Sequence, residues 1–376
     1  MQVENTYIEG VEPYDSLYKL NVGYSLDETS SQRALEEIYR EKNSKKRIYL
    51  LTALLTMMMA KGPTVDEVNG LLRATFSLDE LFETTKFHVD LPNGEILLGC
   101  AGSGKKGIKT FNISTPAAIV AASCGVYIAK ASSASTSSIT GSSDFLSMIG
   151  INLKLPFDEK IDILKKNKMA FFSIEDTTPK FAKLYEGTFY APHALSFGLA
   201  GLSFPVKIDA IAYGLSHPNI KLSRDVLVCN NLKNVVVYSS TEDGIHFIDE
   251  VGVSGVCNII DYMEDCVGIS KTFKVSDEVP ISRQYSIKEI MSKNNARDNV
   301  SVALRALKNI GEEACIDAVC INAGLYIYLA QKANSLAAGY LMARKSITEQ
   351  KAFEYLLNIA KCYGGSIDAI NKFIKE

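Results

Sequence analysis

No two cysteines in this sequence stand at a CxxC spacing, and none of the eight lies near a histidine in a ligand-like spacing. That excludes a zinc site or dithiol redox motif legible from local sequence. Reduced, mostly buried thiols in a cytoplasmic protein are the expectation instead. Histidine is scarce: four in 376 residues (His88, His193, His217, His246), none set with a serine or cysteine for nucleophilic catalysis. The formal charge is −3, so no basic excess points to nucleic acid or to an anionic membrane. Apolar runs are short, and the longest, 48–60, falls below the roughly 20 residues that a bilayer helix needs. The opening MQVENTYIEG is polar and acidic, unlike a signal peptide, and there is no repeat or low-complexity tail.

What is present is enough apolar residue, 47%, to bury a large core, over a length that suggests two structural domains. Residues 1–26 show weak periodicity, and Tyr7, Tyr14, Tyr18 and Tyr24 are assigned to no element. Residues 27–86 read as helices. One is amphipathic, with Leu35, Ile38 and Tyr39 on one side, and the next ends at Gly62 before Pro63. Thr64 and Glu67 form a capping-box pattern for a third, and Met57, Met58 and Met59 read as core filler. Strand candidates follow at 94–100, 170–174, 209–215 and 234–240, with helical stretches between some of them, and 299–364 is helical. Strands alternating with helices argue for an α/β sheet.

The chain is organised around 102–146. The 94–100 strand runs into GSGKKGIKTFNIST, then a helix, a second strand, a Ser/Thr-rich loop and another helix. Gly102, Gly104 and Gly107 carry no Cβ and let backbone approach a ligand closely. Asn112, Ser114 and Thr115 fall where a helix should begin, and its N–H groups and dipole favour anions there. The second loop, 130–143, adds Lys130 and hydroxyls that include Ser133, Ser137, Ser138 and Ser142. Two polar loops at the carboxyl ends of neighbouring strands are the usual ligand position in an open α/β sheet. The reading is a site for a phosphorylated ligand; the alternative is a glycine hinge followed by a solvated serine loop.

The same stretch resembles the anthranilate phosphoribosyltransferase and pyrimidine nucleoside phosphorylase superfamily. Against the family's GTGGDG-x-x-TFNIST, KHGNRSVSS and GSADVLEALG, this sequence has GSGKKGIKTFNIST, KASSASTSS and GSSDFLSMIG in one ungapped register. Further matches extend the resemblance over about 45–360. MMMAKGPTVDE is similar to the family's ALRMKGET-x-EE, and Asp317, Asn322, Ala323, Lys332 and Ser335 match its C-terminal pattern. The resemblance implies a small all-helical domain that carries a homodimer contact, 27–92 with part of 150–200. It implies a larger α/β domain, 93–150 and 200–376, with a central mostly parallel sheet, and it leaves 1–26 as an extension. It implies phosphoribosyl diphosphate as donor, held by Gly102, Ser103, Gly104, Thr110, Asn112, Ser114, Thr115, Lys130, Ser137, Ser138 and Ser142, to which the charge of Lys105 and Lys106 adds two candidate phosphate ligands that the family pattern lacks. It further implies a reaction through an oxocarbenium-like state, with positioning and charge neutralisation as the protein's share.

VVVYSSTEDGIHFIDEVG resembles the family's VVHG-x-DGLDEISPTG, with His246 and Phe247 as two extra residues. On sequence alone Asp249 and Glu250 read as a solvated acidic pair before a turn. The resemblance makes them, with Ser114, ligands of Mg²⁺ against the diphosphate, hard oxygens for a hard cation.

The departures bear on function. The fourth Gly and the Asp of GTGGD are Lys105 and Lys106 here, and the His, Gly, Asn and Arg of KHGNR are Ala131, Ser132, Ser133 and Ala134. Ser133 thus stands where an Asn helps seat the acceptor, and Ala194 stands where an Arg meets the anthranilate carboxylate. Charge-assisted bonds worth roughly 1.5–3 kcal/mol each are lost, which argues against efficient transfer to anthranilate. The two lysines are read as partial stand-ins for a metal that bind phosphate directly; the alternative is a plain basic turn. Three functions compete: a phosphoribosyl or pentosyl transferase (or a nucleoside phosphorylase) with another acceptor; a silent relative that binds a phosphorylated metabolite or nucleic acid; and an anthranilate enzyme with rewired contacts. The charge balance disfavours nucleic acid.

Overall fold

A computed structural model describes residues 12–135, 139–185, 189–263 and 270–374. Five apolar segments form the parallel core of one sheet: β1 (Leu97–Gly102), β2 (Tyr127–Ser132), β3 (Met169–Ser173), β4 (Ala210–Gly214) and β5 (Asn234–Thr241). Each corresponds to a segment expected to be a strand, and each is buried along nearly its whole length, as strands covered on both faces must be. β6 (Phe247–Ile248), β7 (Val256–Met263) and β8 (Ser270–Phe273) add antiparallel pairs beyond β5. The order is β3-β2-β1-β4-β5-β7-β8, with β6 on β5. This is the α/β class expected, and the sheet is mostly parallel.

The helical segment is α1 (Tyr14–Asn21), α2 (Glu28–Arg40), α3 (Ser44–Lys61) and α4 (Val65–Leu78). Leu35, Ile38, Tyr39 and Met58 are buried there. The capping box on α4 forms as its sequence requires: Glu67 N donates to Thr64 Oγ1 at 3.2 Å and Thr64 N donates to Glu67 Oε2 at 2.8 Å. α1 falls where no element was assigned, because its tyrosines are turned outward and give no apolar stripe; Tyr18 is 71% exposed. Helix ends at Leu78, short of the expected 86. Tyr7 lies outside the described residues.

The sheet separates two apolar layers. On one face α5 (Ser114–Ser123), α6 (Ser142–Met148) and the C-terminal helices Ala296–Leu307, Glu313–Leu329, Leu336–Thr348 and Lys351–Cys362 pack together. On the other, side chains of α2–α4 and α7 (Phe157–Asn167) share one core with Ala129, Phe172, Tyr213 and Val237 of the strands. Among the described residues seven cysteines are unpaired, four of them buried, and no helix is long and apolar enough to cross a membrane.

Candidate functional site

β1 lies between β2 and β4, and the chain turns toward β2 on leaving it, so the strand order reverses at β1 and β4. A crevice opens beyond the carboxyl ends of strands at such a point. Here the loop after β1 and the loop after β2 form its walls. The cavity is lined by Gly102, Gly104, Lys105, Lys106, Thr110, Asn112, Ser114, Lys130, Ser133, Ser142, Asp249 and Glu250 from the sequence reading, and by Lys109 and Gly141, which that reading passed over. Ser103, Thr115 and Ala194 are not on its wall. Ser103 instead ties the two strand ends: its N–H donates to Gly214 O at 2.9 Å and its Oγ accepts from Ser216 N at 2.9 Å. Thr115 is fully buried on the core side of α5, and Ala194 is fully buried in the layer shared with α2–α4. Ser137 and Ser138 lie outside the described residues.

β2 continues through Ser132, so Lys130 belongs to the strand and not to the loop. The residue is 3% exposed, its ammonium donates to Ala131 O at 2.7 Å, and burial lowers its pKa. Beyond it the loop folds back on the start of α6: Ser133 N donates to Ser142 Oγ at 3.0 Å, and Ser135 N and Gly141 N donate to Asp144 Oδ2 at 3.0 and 2.8 Å. The described ends of the serine loop, 133–135 and 139–143, are thus tied to the start of α6. At the other wall Thr115 N donates to Asn112 Oδ1 at 3.4 Å, where α5 begins.

Asp249 and Glu250 follow β6 and are 7% and 2% exposed, which corrects the reading of a solvated acidic pair. Their approach to the glycine loop explains two glycines. A Cβ on Gly102 would lie 2.5 Å from Asp249 Oδ2, and a Cβ on Gly214 would lie 1.8 Å from Asp249 O. Gly104 N donates to Asp249 Oδ2 at 2.8 Å. The two extra residues sit against the same loop: Gly107 N donates to Phe247 O at 2.8 Å, and Phe247 starts β6.

The lysine pair is not a plain basic turn. Gly104 and Lys105 both take left-handed backbone, φ 63° and 53°, and send the two side chains to different partners. Lys106 forms an ion pair with Glu250 Oε1, lies 3.5 Å from Asp249 Oδ1 and donates to Thr110 Oγ1 at 2.7 Å. Burial works against its charge, but Glu250 and Asp249 outweigh it and its pKa is raised. Burial pushes the Glu250 carboxyl up to about 7, with Lys106 opposing. Lys105 stands 5.5 Å from the centroid of the Tyr185 ring, and burial, reinforced by Lys109, brings its pKa down to about 8. Tyr185 in turn hydrogen-bonds the buried His193 Nε2, and burial holds that imidazole well below its usual pKa. His193 is thus part of an aromatic wall with Tyr185 and Phe189.

Four lysines against two carboxylates give the cavity a formal excess of positive charge, suited to a polyanion. Residues 95–353 match the family described as glycosyl transferase family, a/b domain. The chain belongs to that family. Members similar to it over most of their length include the anthranilate phosphoribosyltransferases of Oceanobacillus iheyensis, 29% identical over 314 residues with 82% of this chain and 86% of that protein covered, and of Shewanella baltica, 27% identical over 331 residues with 84% and 87% covered. The glycosyl transferase fold is also that of two solved structures. One is anthranilate phosphoribosyltransferase from Thermus thermophilus: TM-score 0.70, 22% identity, 93% of this chain and 100% of that one. The other is the Saccharomyces cerevisiae enzyme in complex with phosphoribosyl diphosphate and Mg: TM-score 0.72, 18% identity, 96% and 98%.

Among the described residues no group of three or more His, Cys, Asp or Glu is gathered for a metal. A cation in this cavity would rest on Asp249, Glu250 and a hydroxyl such as Ser114. Asp249 Oδ1 and Glu250 Oε2 are buried without a hydrogen-bond partner, so the donor set fits a hard cation.

Proposed function

We propose that this protein transfers a phosphoribosyl group from phosphoribosyl diphosphate to an acceptor other than anthranilate. The observation that carries the donor half is the cavity itself. It gathers four lysines, the start of α5, the start of α6 and a buried acidic pair that Lys106 contacts, in a chain similar over 82% of its length to an anthranilate phosphoribosyltransferase. Lys130, Lys109 and the hydroxyls of Thr110, Ser114 and Ser142 receive the phosphate oxygens. As the C1–O bond loosens, negative charge builds on the departing diphosphate, and ammonium groups fixed beside it in a half-buried cleft stabilise that charge more than water does. Mg²⁺ held by Asp249, Glu250 and Ser114 would add to that neutralisation, and Lys105 and Lys106 share it.

The acceptor half rests on side chains. Ser133 lines the cavity where the family pattern has Asn, and Ala194 is enclosed in the core where the pattern has Arg. The nearby wall is Ala131, Ala134, Ile174 and Ala200. An anthranilate carboxylate would find no guanidinium there, so an acceptor without that charge suits it better. A homodimer through the helical segment fits the exposed Tyr14, Tyr18 and Tyr49 on α1 and α3, and a cytoplasmic location fits the unpaired cysteines. The second reading, a binder without turnover, is favoured by one observation: the ion pair between Lys106 and the acidic pair.

The test is diphosphate release from phosphoribosyl diphosphate across a panel of amine and nitrogen-heterocycle acceptors, anthranilate included. Release with one of them at least tenfold above anthranilate is expected. Anthranilate as the best acceptor would overturn the acceptor claim, and release with none, alongside donor binding, would establish the silent binder.

A further inference from the structure

We propose that Lys106 is a built-in cation for the acidic pair, so that the donor site holds its diphosphate without depending on a divalent metal. The proposal rests on the phosphoribosyl diphosphate reading and specifies what supplies the positive charge.

The first support is position. The Lys106 ammonium contacts a carboxylate oxygen of Glu250 and, at 3.5 Å, one of Asp249, and these are the carboxylates that would hold a metal. Its third partner, Thr110 Oγ1 at 2.7 Å, lies on the cavity wall beside it. The second support is seclusion. The Lys106 side chain is 17% exposed, and those of Asp249 and Glu250 are 7% and 3% exposed. Solvent and salt screen such a group weakly, so a cation already there strongly opposes the entry of another.

The third support is the loop. The left-handed turn at Gly104 and Lys105 separates consecutive lysines, turning Lys105 to Tyr185 and Lys106 to the acids. An L-residue at φ 53° is disfavoured, so the turn is held by its surroundings, and it sets the direction in which Lys106 leaves the chain. The fourth is charge. With both carboxylates ionised, the one ammonium halves the formal negative charge that a divalent ion would otherwise meet at the pair. Asp249 Oδ1 and Glu250 Oε2 keep no hydrogen bond, so a cation can still share the site, but weakly and beside an ammonium. Lys105, Lys109 and Lys130, which line the same cavity, supply further positive charge for the diphosphate.

The experiment uses the full chain and two probes, Mn²⁺ followed by electron paramagnetic resonance and phosphoribosyl diphosphate followed by calorimetry, with EDTA or with Mg²⁺. In the wild type, donor affinity in EDTA should lie within about threefold of that with Mg²⁺, since the ammonium supplies a charge-assisted contact of its own. Lys106→Met keeps the length of the side chain and removes the charge. It should lose about tenfold or more in donor affinity in EDTA, regain it with Mg²⁺, and bind Mn²⁺ about tenfold more tightly than the wild type. Adding Glu250→Gln should abolish the gained Mn²⁺ site, and Lys106→Arg should behave as the wild type. If Lys106→Met fails to fold, Lys106→Ala and the wild-type EDTA comparison carry the same test. Wild-type donor binding that requires Mg²⁺, or a Lys106 variant with unchanged Mn²⁺ affinity, would overturn the proposal. Absence of donor binding in every condition, with the Mn²⁺ results as expected, would overturn the donor reading and leave the role of Lys106 standing.

Discussion

Two neighbouring lysines in the glycine loop take opposite parts. Lys105 is in left-handed backbone at φ 53°, a conformation that glycine adopts without cost. Lys105→Gly should therefore stabilise the fold by about 1 kcal/mol in urea unfolding while weakening donor binding. A loss of stability would show that the ammonium over Tyr185 contributes more than the backbone costs. His193, whose imidazole is buried against Tyr185, gives a pH dependence. The unfolded chain takes up a proton near pH 6.5 and the folded chain does not, so this contribution is complete above that pH and is lost as pH falls. The loss approaches about 1.4 kcal/mol per pH unit. Between pH 7.5 and 5.5 the wild type should lose about 1.4 kcal/mol more stability than His193→Phe, and equal losses would contradict the assignment. The sequence identified both lysines and the acidic pair, but the Lys106–Glu250 contact joins positions 144 apart. No local pattern carries it, because it depends on where β6 and the loop after β1 meet.

At the scale of elements, the fit between strand ends sets the site. Gly214 closes β4 directly against the Asp249 backbone, and a Cβ there would come within 1.8 Å of a carbonyl oxygen that no rotamer change can move. Gly214→Ala should cost about 3 kcal/mol or more and displace the acidic pair, read as a lowered melting temperature together with lost donor binding. Normal stability would mean that the strand end yields easily. The elements legible in sequence are those whose composition alone decides them: β1–β5, apolar and buried on both faces, and α2–α4, whose stop and capping signals are local. β7 and β8 are not legible in the sequence because they are edge-ward and half-polar, as in SKTF, whose first three residues are exposed. At Lys130 a charge interrupts the apolar pattern and signals a loop, yet strand pairing with Cys100 and Phe171 continues through it.

Across the whole molecule, the sheet divides a helical layer shared with α2–α4 from the layer around α5 and the C-terminal helices. We propose, as the sequence suggests, that the first layer holds a small helical domain and a dimer contact. Tyr14 and Tyr18 on α1 and Tyr49 on the adjoining α3 leave 40%, 71% and 61% of their surface exposed. Light scattering should give twice the 41.2 kDa chain mass, and Tyr18→Glu with Tyr49→Glu should give the chain mass. A wild-type monomer would contradict this. The central claim is that the cavity between the glycine loop and the serine loop binds phosphoribosyl diphosphate. Thermal unfolding with that compound, against ribose 5-phosphate and buffer alone, tests it most directly. A ligand that binds only the folded chain adds about 2.7 kcal/mol at a hundredfold excess over its Kd. The expected result is a melting temperature that rises with phosphoribosyl diphosphate and is unmoved in Lys130→Ala; no rise in the wild type at millimolar concentration would contradict the account.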